Sequence, residues 1–270
     1  MVSSKQEFSL EHQYYLKRIK RQKALVVALR YILLIGIFVL WEVAARQGWI
    51  DAFITSSPSR VLKTIISLYK SKSLFVHIWV TFYETVVGFL LGTFLGTSIA
   101  IMLWWSPTAN KVLDPYLVVL NALPKIALGP ILIVWIGATS GSIIAMGLLV
   151  SLVVTILTVL SGFMDISEEK QQLMRTLGAT KMQIFTMVVL PASIPTVMAA
   201  LKISVGMSWV GVIVGEYLVS KAGLGYLIVY GGQVFQLDIV MASIIVLCVL
   251  ATLMYYIVAY FEKRMVRWKP

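Results

Sequence analysis

The sequence predicts an all-α integral membrane protein with about six transmembrane helices, and three observations carry that reading. Composition comes first: of 270 residues, 59% are hydrophobic and only 13% charged, with a mean hydropathy of +0.89, whereas soluble chains carry about 25% charged residues. Second, apolar stretches recur at about 20 residues, the length with which a helix crosses a bilayer core of ~30 Å. Third, runs such as VVALRYILLIGIFVLWEVAA do not alternate, which argues against a closed barrel built from alternating strands of ~10 residues. A soluble globular fold is excluded.

Taken in order, residues 1–25 form a basic N-terminal segment containing Lys5, Lys17, Arg18, Lys20, Arg21 and Lys23. It is too long for the charged region of a secretory signal and no small-residue cleavage site follows, so the first span, about 26–45, is expected to be retained. Residues 26–270 then make one transmembrane domain. Within 46–77, Pro58-Ser59 opens a stretch with Val61, Leu62, Ile65, Ile66 and Tyr69 at helical spacing, the pattern of an interfacial helix that does not cross the bilayer. The second span, about 79–104, places Gly88, Gly92 and Gly96 on one face, where another helix can approach closely. The third region, about 113–136, contains Pro115, Pro124 and Pro130. Each proline removes a backbone donor, so a broken span is expected. The fourth, fifth and sixth spans lie at about 142–164, 194–219 and 239–261.

With the N-terminus inside, fifteen Lys and Arg fall on the cytoplasmic side and six outside, while Lys125 and Lys202 fall within apolar regions. The positive-inside rule therefore places both termini in the cytoplasm. The pI near 9.7 reflects basic residues flanking apolar runs, a use suited to lipid headgroups and topology and not to nucleic acid. The single cysteine, Cys248, excludes an internal disulfide, and the only histidines, His12 and His77, are far apart, which argues against zinc chemistry. No G-x-x-x-x-G-K-[ST] occurs, so this chain cannot cradle a nucleotide in that way and no cofactor is expected on it.

The segment DISEEKQQLMRTLGATKMQIFTMVVLPASIP, residues 165–195, is too polar to span. Ser167 is positioned to cap a helix with Glu168, Glu169 and Lys170 in its first turn. Leu173, Met174 and Leu177 make an apolar stripe, and Gly178 suits the left-handed end of that helix. Met182, Ile184, Phe185 and Val188 begin a second helix, with Pro191 and Pro195 marking the start of the fifth span. Two short helices at a fixed angle, at about 165–190, make a docking surface. The plain alternative is a membrane-surface loop without a partner.

The spacing of Gly178, Val188, Leu190 and Pro191 resembles the EAA loop of ABC importer permeases, with the E-A-A triplet itself replaced by Gln172-Leu173-Met174. The resemblance extends over most of the chain and is closest to the nitrate, taurine and aliphatic sulfonate branch. It is carried by Trp41-Glu42, Ser57-Pro58-Ser59, His77 with Gly88-Phe89, LPKIALGPILIVWIG (123–137) and WVGVIVGEYLVSKAGLG (209–225). This resemblance implies a type I importer permease fold in the cell membrane. Two copies form the path, a cytoplasmic ABC ATPase dimer carrying ATP and Mg docks on the loop, and an extracytoplasmic binding protein delivers a small anion. It also implies ATPase-coupling roles for Glu168, Glu169, Gln172, Leu173, Met174, Arg175, Gly178, Ala179, Leu190 and Pro191.

Ionisable and small residues inside the spans supply path and gate candidates. Glu84 either lines the outer part of the path or sits in headgroup water. Glu216, followed by Gly223 and Gly225, is placed to cap a tight re-entrant turn. Lys125 either meets an anionic substrate in unwound backbone, or snorkels or pairs with a carboxylate such as Asp114, and Lys202 snorkels toward headgroups. Asn121 and Ser208 are candidate cavity hydrogen-bonders, and Gly211 and Gly215 mark a helix face that changes exposure during transport. A secondary carrier would show inverted repeats and midplane carboxylates, neither of which is evident. An intramembrane enzyme would need a nucleophile with a base, or a metal cluster, within the spans. The substrate stays open among sulfonate, taurine, nitrate, bicarbonate and vitamin precursors.

Overall fold

A computed structural model describes residues 10–266, and every regular element among them is helical. The chain forms two compact units, Met1–Lys63 and Thr64–Pro270.

In the first unit, α1 (Leu10–Arg46) is one continuous 37-residue helix. The sequence predicts a basic segment distinct from the span, but from residue 10 onward the two are the same helix. Neither proline nor glycine interrupts the chain before Gly36, so nothing breaks the backbone ladder. Residues 1–9 lie outside the described residues. A short helix, α2 (Ala52–Thr55), begins where Asp51 accepts the Phe53 N–H at 2.8 Å. The next helix, α3 (Pro58–Lys70), has 13 residues, too few to cross a bilayer. Its start is tied to α1: Glu42 accepts the Ser59 N–H through Oε2 at 3.0 Å and the Arg46 Nε–H through Oε1 at 2.7 Å. The carboxylate thus takes up a donor that the first turn of α3 cannot use internally.

The second unit is a bundle around α7 (Ser140–Met164). Both α4 (Ser73–Trp105) and α10 (Leu190–Val219) pack against it and against each other. The third apolar region divides into α5 (Pro107–Ala122), a 3-10 turn at Lys125–Leu128 and α6 (Gly129–Ile136), bent by 88°. Only Pro124 sits at the corner. Pro115 is carried inside α5, and Pro130 lies in the first turn of α6, where a missing N–H costs nothing. After α7 come α8 (Glu168–Thr176), α9 (Lys181–Ile184), a π-helical turn at Phe185–Val189 and then α10. The last elements are α11 (Leu224–Gln233) and α12 (Leu237–Met265). Among the described residues, five helices are long and apolar enough to span, and the bent pair makes the sixth.

One expectation is corrected here. The fifth span does not begin at about 194 after a separate short helix; helix runs without a gap from Lys181 to Val219. The π turn absorbs the disturbance before Pro191, and Pro191 falls in the first turn of α10, so the prolines punctuate the rod without ending it.

Small residues set the spacing of the bundle. The glycine face of α4 meets α7, where a β-carbon at Gly88 would stand 3.3 Å from the Ile144 carbonyl oxygen and one at Gly96 2.8 Å from the Thr155 Cβ. Across α7 and α10, the Thr155 and Ser204 hydroxyls are 2.6 Å apart. Toward the α8 end, the core is aromatic: Phe185 lies 4.9 Å from Trp104 and 5.6 Å from Phe163, ring centre to ring centre. A second cluster, Phe89, Val205, Trp209, Met254 and Val258, joins α4 and α10 to the last helix.

Candidate functional site

The first candidate surface is α8 with its flanking turns. Ser167 occupies the N-cap position without a side-chain bond to the helix, so the cap predicted there is positional only. Glu168 and Glu169 stand in the first turn and Arg175 in the last, each matched to the helix dipole. Gly178, at φ +81°, ends the helix, and the Ala179 N–H returns to the Met174 carbonyl at 3.0 Å. Thr180 then opens α9 with a capping box to Gln183. Met174 and Ala179 turn inward onto the aromatic core, whereas Leu173 and Leu177 point away, 62% and 74% exposed. Two large apolar side chains are thereby left for something else to cover. Glu168, Gln172 and Arg175 border a cavity of about 540 Å³ that Trp104, Phe163 and Lys181 also line. Leu190 and Pro191 lie beyond, at the junction with α10.

Lys181, which no sequence motif singles out, fastens this region to the bundle. Its ammonium donates to the Trp105 carbonyl at 2.5 Å and lies 5.6 Å and 5.5 Å from the ring centres of Trp104 and Trp105. The signal is a basic residue opposite a Trp-Trp pair, but a separation of 76 positions from Trp105 hides it.

The second candidate group lies at the other end of the bundle. Glu84 on α4 and Glu216 on α10 come side by side, each only 1% exposed. Glu84 is therefore not in headgroup water. The Glu216 Oε2 accepts the Gly225 N–H at 2.5 Å, the Thr81 hydroxyl accepts the Leu224 N–H at 2.7 Å, and His77 Nδ1 accepts the Gly223 N–H at 2.9 Å. Three consecutive backbone donors at the start of α11 are thus held by side chains from two other helices. A β-carbon at Gly223 would overlap the Glu216 carboxyl, and one at Gly225 would lie 2.7 Å from Oε2. His77 also stacks on Tyr226 at 5.9 Å. Thr81 is the residue of this group that sequence reasoning misses, although positions 77, 81 and 84 share one helix face.

The remaining candidates separate. At the 88° corner the Lys125 ammonium bonds to the Asn121 carbonyl at 3.0 Å and to its side-chain oxygen at 3.4 Å. Its partner is Asn121, not Asp114. Lys202 does not snorkel free; it pairs with Glu262 at 2.8 Å. Ser208 is fully buried, its hydroxyl without a partner. Gly211 and Gly215 face α7 in the packed seam, with Gly215 against Ile143. No group of three or more His, Cys, Asp or Glu residues placed to hold a metal occurs among the described residues.

Comparison with known proteins agrees with this arrangement. The chain is 29% identical over 233 residues to the aliphatic sulfonates transport permease protein SsuC of Bacillus subtilis, covering 86% of this chain and 84% of that protein. It is 24% identical over 235 residues to the taurine transport system permease protein TauC of Escherichia coli, covering 85% of each. Its fold matches a bacterial ABC transporter involved in the import of the acidic polysaccharide alginate, with a TM-score of 0.65 at 18% identity over 94% of this chain and 99% of that one. Residues 88–267 match the family described as the binding-protein-dependent transport system inner membrane component. A multi-pass helical bundle with a helical loop between its fourth and fifth spans, matching that family over two thirds of its length, identifies the chain as a member and as the membrane permease subunit of an ABC importer.

Proposed function

We propose that this permease works as two identical copies, driven by a cytoplasmic ABC ATPase dimer seated on α8 and fed by an extracytoplasmic binding protein with a small anionic solute of the sulfonate type. ATP and Mg belong to the ATPase, and both termini face the cytoplasm. The observation that carries this reading is the position of α8. It lies in sequence between α7 and α10, the two most closely packed helices of the bundle, and it presents Leu173 and Leu177 outward. A partner closing on those side chains pushes on a foot that Lys181 and Phe185 clamp to the core, so the push reaches α10 directly. Transport then amounts to a population shift between two packed arrangements, biased by ATP binding and reversed by hydrolysis. The sulfonate preference rests on the names of the two relatives, and Lys125 at the exposed corner supplies a cation suited to an anion in transit.

The test is uptake of radiolabelled ethanesulfonate, an aliphatic sulfonate anion, by vesicles containing the permease, its ATPase and its binding protein. ATP-dependent uptake is expected, with loss of ATPase retention and of uptake in Leu173→Asp and Leu177→Asp. Uptake of equal rate without the ATPase would mean a secondary carrier and would overturn the proposal.

A further inference from the structure

We infer that Glu84 is held as a neutral carboxylic acid that donates its proton to Glu216, and that this one shared proton makes Glu84 the positioning residue for the Gly223–Gly225 turn. The carboxyls lie next to each other, nearly fully buried, and no ion pair joins either one to a cation among the described residues. Two adjacent anions without a counter-charge do not persist in such surroundings. One of the pair must be neutral, and the distribution of donors says which.

Glu216 has the donors. Its Oε2 takes the Gly225 N–H, it stands at the N-terminal end of α11, where the helix dipole favours negative charge, and the Thr81 hydroxyl lies beside it. Thr81 accepts from Leu224 and so keeps its own proton for Glu216. Glu84 has the poorer environment: its neighbours are the Ser140 hydroxyl, a single side-chain donor, and Glu216 itself, and no backbone N–H reaches it among the described residues. The Glu216 Oε1 is buried and without a donor. A proton on Glu84 answers both vacancies at once, since the O–H needs an acceptor and Oε1 needs a donor.

The other titratable groups around the pair fit this assignment. From α4, His77 accepts on Nδ1 and therefore carries no proton there. From α10 comes Tyr217, adjacent to Glu216. The first turn of α7 contributes Ser140, and α11 contributes backbone N–H groups. The consequence is mechanical. His77 and Thr81 hold the turn from α4, Glu216 holds it from α10, and the Glu84 proton ties those two helices together directly beneath it.

Two readouts on the full-length chain in lipid nanodiscs test this. The infrared spectrum at neutral pH should contain a carbonyl band of a buried carboxylic acid that shifts in heavy water and disappears in Glu84→Gln. Amide hydrogen exchange at residues 223–225 should be unchanged in Glu84→Gln, whose amide still donates, and faster by roughly tenfold in Glu84→Leu, which leaves Oε1 bare. A band that survives Glu84→Gln places the proton on another group and overturns the assignment. Absence of the band in the wild type, together with protection that grows when sodium chloride replaces choline chloride, would show a bound cation in place of the proton and also overturn it. Wild-type exchange in Glu84→Leu would remove the positioning role.

Discussion

The α-carbon of Gly147 lies 2.7 Å from where a β-carbon on Gly211 would stand, so α7 and α10 meet backbone to backbone. The sequence marks the Gly211–Gly215 face as one that changes exposure during transport; the structure gives it to a closed seam inside one subunit. A side chain at 211 has no soft neighbour to displace, because the nearest atoms are the Gly147 Cα and the Met146 carbonyl oxygen. Gly211→Ala is therefore expected to cost about 1–3 kcal/mol by overpacking, and Gly211→Leu to prevent the bundle from assembling. Gly206, on the same helix, is the control, since a β-carbon there would have nothing within 4 Å. At that position alanine is expected to stabilise by about 0.5–1 kcal/mol. Thermal unfolding of the purified chain in detergent distinguishes the two, and equal melting temperatures for both alanine variants would contradict the seam.

Gly178 ends α8 in a left-handed turn that little packs against. Its φ of +81° suits glycine, yet a β-carbon there would meet open space. Gly178→Ala should cost about 1 kcal/mol of backbone strain, confined to the end of α8. We expect unchanged melting of the bundle, faster amide exchange over residues 174–179 and weaker retention of the ATPase. A lowered bundle melting temperature with full ATPase retention would be the opposite result.

Lys202 and Glu262 pair at 2.8 Å with both side chains about three quarters buried, at 23% and 27% exposure. A double-mutant cycle through Lys202→Met and Glu262→Gln should give a coupling of about 1 kcal/mol, above the usual value for a surface pair. The exchange Lys202→Glu with Glu262→Lys should recover most of the melting temperature lost in either single change. Strict additivity of the two single variants would show that the ion pair contributes nothing.

Which features are legible in the sequence follows from the distance over which each is encoded. Spans, the glycine face of α4, the short helix opened by Pro58 and the left-handed Gly178 are written in windows of a few turns, and the sequence predicts each of them. The corner at Pro124 is harder to place because three prolines compete. Pro115 is absorbed within a helix, and Pro130 sits where a first turn needs no donor. Trp41-Glu42 and Ser57-Pro58-Ser59 read as separate motifs, and only the fold joins them, through the Glu42 bond to the Ser59 N–H. Glu84 and Glu216 show the limit most clearly. Each stands near a span end, yet 132 positions separate them in the chain, and nothing local signals that α4 and α10 bring them to one buried point. The same holds for Lys202, whose partner sits 60 residues away.

The uninterrupted run from Lys181 to Val219 has a consequence for scale. Thirty-nine helical residues make a rod of about 58 Å, with the Lys181 clamp at its foot and the Glu216 carboxyl near its tip. A tilt of about 5° at the foot would carry the tip by roughly 5 Å, more than the length of any hydrogen bond that holds the Gly223–Gly225 turn. This helix is a lever, with α8 attached at its foot and the Glu216 carboxyl near its far end. The π turn at Phe185–Val189 and the interior Pro195 are points of flexure along it, and their stiffness sets how much of a push at the foot reaches the tip.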